Sequence, residues 1–488
     1  MKLNWIAWCA ALAIVAVPAT TTASGALAAP APSTATPEAR SAAAGPTPGK
    51  NVPGGTRLWL ARFGQPPASV GYAQAVAASP DGRQVFIAGS GTGSAAVAYD
   101  AATGAQHWAS PTGLSNGGFM GVSPDGSRVF VTGTSKNGSG LLQFTTRAFN
   151  AATGAVLWTA FYHGQGTFDD APQALAVSPD GSRVFVTGSS TNANGIPRYT
   201  TVAFDASTGA RRWAASYSVQ HLSALAEAIA VSSLGTQVFV TGGSAGPTGQ
   251  ASFATVSYDA ATGARQWVAR YAAAPGHNAN AVAVAVSPDG STVYVAGTAH
   301  VHQGQANPQD MAAVAYTAAT GAKRWAALYP GTANPQVFGI STQAMALSPD
   351  GSGVFVTGQG NAHGTTNFTT VAFEAATGAL RWARQAPLNG FGLPKGIAVG
   401  PGGTEVFVTG STTAGLASSG ATAYATVAYD DTTGAERWTR IFPGPVAGFS
   451  EATGVAVSPD GTHVFVTGGA TGPDHHTEIN YVTLAYSP

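Results

Sequence analysis

Short apolar runs broken by turn residues, with no apolar period of about 3.6 residues anywhere, mark this chain as built from strands. In one stretch Gln173-Ala174-Leu175-Ala176-Val177 leads into Ser178-Pro179-Asp180-Gly181, and Val184-Phe185-Val186-Thr187-Gly188 follows. Both apolar runs are rich in β-branched and aromatic types. The four residues between them supply turn chemistry: proline fixes φ at the first corner, aspartate tolerates the second, and glycine takes positive φ. The segment predicts a hairpin. A third run, Tyr199 to Phe204, ends in Asp205-Ala206-Ser207-Thr208-Gly209, where a carboxylate can satisfy turn amides, and a fourth carries Trp213.

This unit recurs. Trp59, Trp108, Trp158, Trp213, Trp267, Trp325, Trp382 and Trp438 follow one another at intervals of 49 to 58 residues, each closing a copy. Four short antiparallel strands per copy predict an all-β, eight-bladed β-propeller. In the first strand, the first and third positions before the turn serine are large (Val177 and Leu175, Leu347 and Met345), and those between them are almost all Ala or Gly. One face of each blade is therefore trimmed to receive its neighbour's large residues. The tryptophans are structural on this reading, filling the wedge between blades where it is widest. The two chain ends complement each other. The chain begins the array with a lone fourth strand, about 55–63, and finishes with strands one to three, about 452–486, so pairing the ends closes the ring and removes two exposed edges.

The block Asp-x-x-Thr-Gly-x-x-x-Trp, as at Asp205 to Trp213 and Asp259 to Trp267, resembles the tryptophan-docking repeat of PQQ-like, quinoprotein-type eight-bladed propellers. Ser-Pro-Asp-Gly with Val-Phe-Val-Thr-Gly resembles the YVTN-type bacterial repeat. The resemblance covers 55–488 and implies the fold; its members include dehydrogenases, lactonases and assembly scaffolds, so it implies no single activity. Copies depart from it at Asn150, Thr317 and Glu374, which replace the Asp, and at 232–235 and 400–403, which replace Ser-Pro-Asp-Gly.

Composition narrows the partners. Lys plus Arg and Asp plus Glu both number 22, and charged residues are 9% of the chain, so no basic field exists to attract nucleic acid or anionic lipid. Lys2, the apolar stretch from Trp5 to Val17 and Ala26-Leu27-Ala28 read as a signal peptide over 1–28, too short in its apolar part for a stable membrane span. Residues 29–54, rich in Pro, Ala and Thr, read as a disordered linker before a single domain at 55–488. Cys9 is the only cysteine and would leave with the signal, so we expect a secreted protein without disulfide or thiol.

The tight turns should all lie on one face of the ring, and the long variable connections with the channel mouth on the other. Eight of the ten histidines fall in those connections (His163, His221, His277, His300, His302, His363, His475, His476), near Asp169, Asp170, Asp310, Glu451, Asp474 and Glu478. His300-x-His302 and His475-His476 are the places to look for a metal, but no spacing matches an established zinc motif, and no metal is expected. A second group stands five positions before each turn serine or its equivalent: Gln74, Gly118, Gln173, Glu227, Val282, Gln343, Lys395 and Thr453. On the strand nearest the axis these should ring the channel mouth and hydrogen-bond a polar ligand or a plug of water.

The expected ligand-binding residues are thus Gln74, Gln173, Glu227, Gln343, Lys395, Asp169, Asp170 and His277. The expected function is a secreted, monomeric interaction module that recognises a glycan, peptide or protein partner through the variable face. Exposed aromatics there, Phe168, Phe391 and Phe449, would support it by forming one patch. The alternative is an extracellular hydrolase or lactonase using Glu227, Asp169, Asp170 or His277. A PQQ-dependent dehydrogenase is the least favoured reading: the resemblance implies a quinone held between a tryptophan and an adjacent-cysteine disulfide, with calcium on acid and amide side chains. Here the tryptophans are committed to packing and the mature chain lacks cysteine, so no cofactor is expected.

Overall fold

The computed structural model of the protein describes residues 52–64, 71–166, 168–219, 222–246, 249–274, 276–300, 309–330, 341–362, 365–386, 388, 390–413, 421–444, 448–472 and 479–488. Among these every regular element is a β-strand, and 32 strands form eight four-stranded antiparallel sheets. Blades one to seven are consecutive in sequence, at 71–111, 117–162, 171–217, 224–271, 279–329, 341–385 and 392–442. Blade eight takes its three inner strands from Ser450–Val457, Val464–Thr471 and Ile479–Tyr486, and its outer strand from Arg57–Phe63.

The closing pairs run from Arg57 opposite Tyr486 to Phe63 opposite Tyr481. Beyond them Gly55 N donates to Ser487 O and Ser487 N to Thr56 O, both at 2.9 Å, and the Ser487 hydroxyl donates to Pro53 O at 2.6 Å. The ring therefore takes in Val52, Pro53 and Gly54, which composition had assigned to the linker. Pairing with the last strand, not residue type, decides where the fold starts. Residues 1–51, which sequence reads as a signal peptide and most of a linker, lie outside the described residues.

Each inner strand packs on the inner strands of both neighbours, blade eight on blade one included, so the ring is closed at its axis. There is no single core. The buried apolar residues fall into eight clusters, each shared by two consecutive blades. Ala283 and Ala285 of blade five receive Met345 and Leu347 of blade six, as the small/large alternation requires. Gly121 is the extreme case: a Cβ there would lie 2.8 Å from Leu175 Cδ2 of the next blade.

The tryptophans join blades at the outer radius. Trp213 packs against Phe185 of its own blade and Tyr258 of the next, with ring centroids 5.8 and 6.2 Å away. Its Nε1 donates to Ala260 O at 3.0 Å in the next blade's Asp-Ala-Ala-Thr-Gly turn. Gly263 ends that turn at φ 74°, and a Cβ on it would lie 2.6 Å from the indole, so both the turn and the docking require glycine. Trp59, Trp108, Trp158, Trp267, Trp325 and Trp382 make the same indole bond. Trp438, at the closing seam, is buried without that partner among the described residues.

Both tight turns are tied by their own side chains. The Ser178 hydroxyl accepts from Arg183 N at 2.9 Å and donates to Asp180, whose carboxylate takes Ser182 N at 3.0 Å. Asp205 accepts the amides of Ser207 and Thr208, each at 3.0 Å. The Ser207 hydroxyl and Arg212 hold its carboxyl well below the usual carboxylate range. Both turn types stand at the same end of their strands, leaving the long connections on the opposite face.

Candidate functional site: the bulge ring

In all eight blades the inner strand breaks register with its neighbour at one residue. Gln74, Gly118, Gln173, Glu227, Val282, Gln343, Lys395 and Thr453 are each an extra residue opposite an otherwise continuous partner strand. A bulge of this kind re-aims a side chain and bends the strand. The eight positions read from sequence as a channel ring are thus a ring of β-bulges at one level, in the half of each inner strand nearer the variable connections.

The bulge also accounts for the glycine of Val-Phe-Val-Thr-Gly. Pushing out one residue drives the carbonyl two places earlier into the space beside the partner strand. A Cβ on Gly188 would lie 2.1 Å from Ala171 O, on Gly242 2.0 Å from Leu225 O, and on Gly468 1.9 Å from Glu451 O. Only glycine fits there. This repeated glycine is the sequence signal for the bulges, and the spacing of the ring positions alone does not reveal it.

The ring side chains have different surroundings. Gln74 Nε2 donates to the Ser90 hydroxyl at 2.7 Å. Thr453 donates to Ala73 O at 2.7 Å, bridging blade eight to blade one. Gln343 is buried, whereas Gln173, Glu227 and Lys395 are half-buried. Lys395 Nζ lies 3.3 Å from Glu451 Oε1 of the next blade. Sequence placed Glu451 and Asp310 among the loop residues; the structure places both within strands, so Glu451 belongs to the ring's surroundings. Burial pushes the Glu227 carboxyl up to about 7, with no offsetting charge or hydrogen bond among the described residues.

The loop candidates stand elsewhere. Asp169 accepts Leu142 N at 2.8 Å. Asp170 is buried, with Gly164 N donating to it at 2.6 Å and His163 Nδ1 lying 2.8 Å from its carboxylate as an ion-pair contact. Burial pushes its carboxyl up, opposed by the Gly164 amide and His163. The Asp169 carboxylate and the Asp170 amide, which donates to Leu142 O at 3.0 Å, pin the connection between blades two and three onto the Leu142 strand, while the Asp170 carboxylate ties that connection to itself. His277, in the connection into blade five, is half-buried near His300, whose pKa burial and then His277 lower while Asp310 acts the other way. His221, His302, His363, His475, His476, Asp474 and Glu478 lie outside the described residues. Among the described residues no group of three or more His, Cys, Asp or Glu is placed to hold a metal ion.

The aromatic patch is not formed by the three residues named for it. Phe168 and Phe391 are exposed but lead into blades three and seven, which stand opposite each other in the ring. Phe449 instead packs edge-on to Tyr72, with centroids 6.0 Å apart.

A family model described as outer membrane protein assembly factor BamB, of the PQQ-like repeat type, matches residues 50–326 and 142–398. The chain belongs to this family of PQQ-like propellers. Three solved structures share the fold. BamB from Moraxella catarrhalis is 16% identical with a TM-score of 0.52, covering 89% of this chain and 99% of its own. Quinohemoprotein alcohol dehydrogenase ADHIIG from Pseudomonas putida HK5 is 13% identical with a TM-score of 0.53, covering 83% and 72%. A europium-containing methanol dehydrogenase is 11% identical with a TM-score of 0.56, covering 88% and 93%. At these identities the likeness is one of fold. No curated protein sequence matches the chain. Among the described residues no helix is long and apolar enough to cross a membrane.

Proposed function

We propose that this member of the PQQ-like propeller family is a secreted binding module, which takes a polar segment of a peptide or protein partner at the channel mouth on the variable face. The observation that carries the reading is the bulge ring. Eight consecutive bulges at one level, on the inner strands that pack against both neighbouring blades, carry amide, hydroxyl, carboxylate and ammonium groups among them, which supports a shared polar binding surface. A constellation held by strands is more sharply positioned than one held by loops. Secretion rests on the signal-like segment at 1–28, and the lack of a disulfide there is offset by eight shared clusters and a closed seam.

Peptide and glycan arrays probed with the purified protein test the proposal. A binder whose signal falls with Gln74→Ala or Gln173→Ala, and is unmoved by Leu234→Ser on the exposed tight-turn face, supports it. Binding equally sensitive on both faces overturns it. The carboxyl of Glu227, raised to about 7, favours the second reading of a hydrolase or lactonase, since a general acid or base works best near the operating pH. Turnover of a lactone or ester panel, lost in Glu227→Gln, would establish that reading instead.

A further inference from the structure

Resting on that reading, we propose that Glu227, with Asn280 of the following blade, forms a subsite on the channel for a cationic side chain, the ammonium of lysine or the guanidinium of arginine. Two charged side chains stand in the bulge ring, Lys395 and Glu227. Lys395 is already answered: Glu451, two places before the bulge in the next blade, comes within 3.3 Å. The equivalent place facing Glu227 is Asn280, two positions before the bulge residue Val282. An exposed neutral amide thus stands where an exact repeat of the other pair would need a cation.

Asn280 does lean back onto the blade of Glu227. Its Oδ1 occupies the space beside Gly243, where a Cβ would lie only 2.1 Å from it. Gly243 follows the bulge-partner glycine Gly242, at a position that carries a side chain in six of the other blades (Ser90, Thr134, Ser189, Thr298, Gln359 and Ser411) and glycine again only at Gly469, where Tyr72 fills the space; beside Gly243 the bare backbone makes room for the amide. The cation packed nearby is spent. Arg270 donates to Tyr217, Ser244 and Ser252 at 2.6 to 3.2 Å. Tyr199, the other titratable group near Glu227, donates its hydroxyl to Ala254 O at 3.0 Å. A carboxylate and an amide oxygen are both acceptors, and both chemistries suit a donor-only cation.

Ligand-observed NMR titration of the whole protein tests this. The probes are acetylated tripeptide amides carrying a central lysine or arginine, and the same peptides with norleucine. The cationic peptides should bind, the norleucine peptides should bind at least about tenfold more weakly, and Glu227→Gln should erase the difference. Gly243→Val, which displaces Asn280 and leaves the carboxylate, should weaken the cationic probes alone. A cationic preference retained in Glu227→Gln, or norleucine peptides binding as well as lysine ones, overturns the subsite and leaves the channel-mouth reading standing. Failure of every peptide, together with a blank peptide array, overturns both.

Discussion

Replacing Glu227 by glutamine should make the protein more stable at high pH and leave it unchanged in acid. The folded carboxyl titrates at about 7 against an ordinary value of 4.5. Below 4.5 the group is protonated in folded and unfolded chains alike, and burial carries no charge penalty. Between 4.5 and 7 the unfolded chain ionises and the folded one holds its proton, so stability falls as pH rises; above 7 the loss is complete. A gap of about 2.5 pH units corresponds to about 3 kcal/mol at 1.36 kcal/mol per unit. The side chain is only half-buried, and the solvent contact that this leaves brings the expected effect to about 1–3 kcal/mol. Urea unfolding followed by tryptophan fluorescence at pH 3.5 and pH 8, on wild type and Glu227→Gln, measures it. Taking the difference between the two proteins cancels every other titrating group. The midpoints should coincide at pH 3.5, below the ordinary value, and separate at pH 8 with the glutamine variant the more stable. A separation that does not change with pH, or a less stable glutamine variant at pH 8, would show that the carboxylate already has a partner and refute the reasoning.

Trp382→Ala removes an indole docked between blades six and seven and should lower stability by about 3–5 kcal/mol, read from the same denaturation experiment, because the wedge cannot collapse without moving a sheet. Tyr99→Phe and Tyr258→Phe should be neutral or slightly stabilising in thermal unfolding. Both hydroxyls are buried without a hydrogen-bond partner among the described residues, and phenylalanine already fills the equivalent place at Phe149 and Phe204. Gly188→Ala should cost more than any surface change, about 2–4 kcal/mol, since its Cβ must enter the space of a backbone carbonyl. Truncation before Phe63, monitored by hydrogen exchange, should expose the amides of Ile479–Tyr486 first, because that strand loses its outer neighbour.

The repeat made the ring readable before any coordinates. Eight tryptophans in register, the small/large alternation of the first strand and the complementary chain ends forced the blade count, the stacking and the seam, and all three hold. These are local patterns that repeat, so each copy checks the others. The level of the eight ring positions was legible too, from their constant distance to the turn serine. What makes them a ring, a bulge opposite each glycine, was written in the Thr-Gly step but needs the pairing register to be seen.

Partnerships between blades were not legible. Lys395 and Glu451 are 56 residues apart in sequence, and nothing in the spacing says that one blade's bulge faces the next blade's strand two places earlier. The same holds for Asn280 over Gly243. The amino-acid sequence determined by itself whatever depends on a period: strands, turns, blade number and closure. Tertiary structure decided which charges meet, as Lys395 and Glu451 do, because a few ångströms between side chains on separate blades carry no trace in the order of residues along the chain.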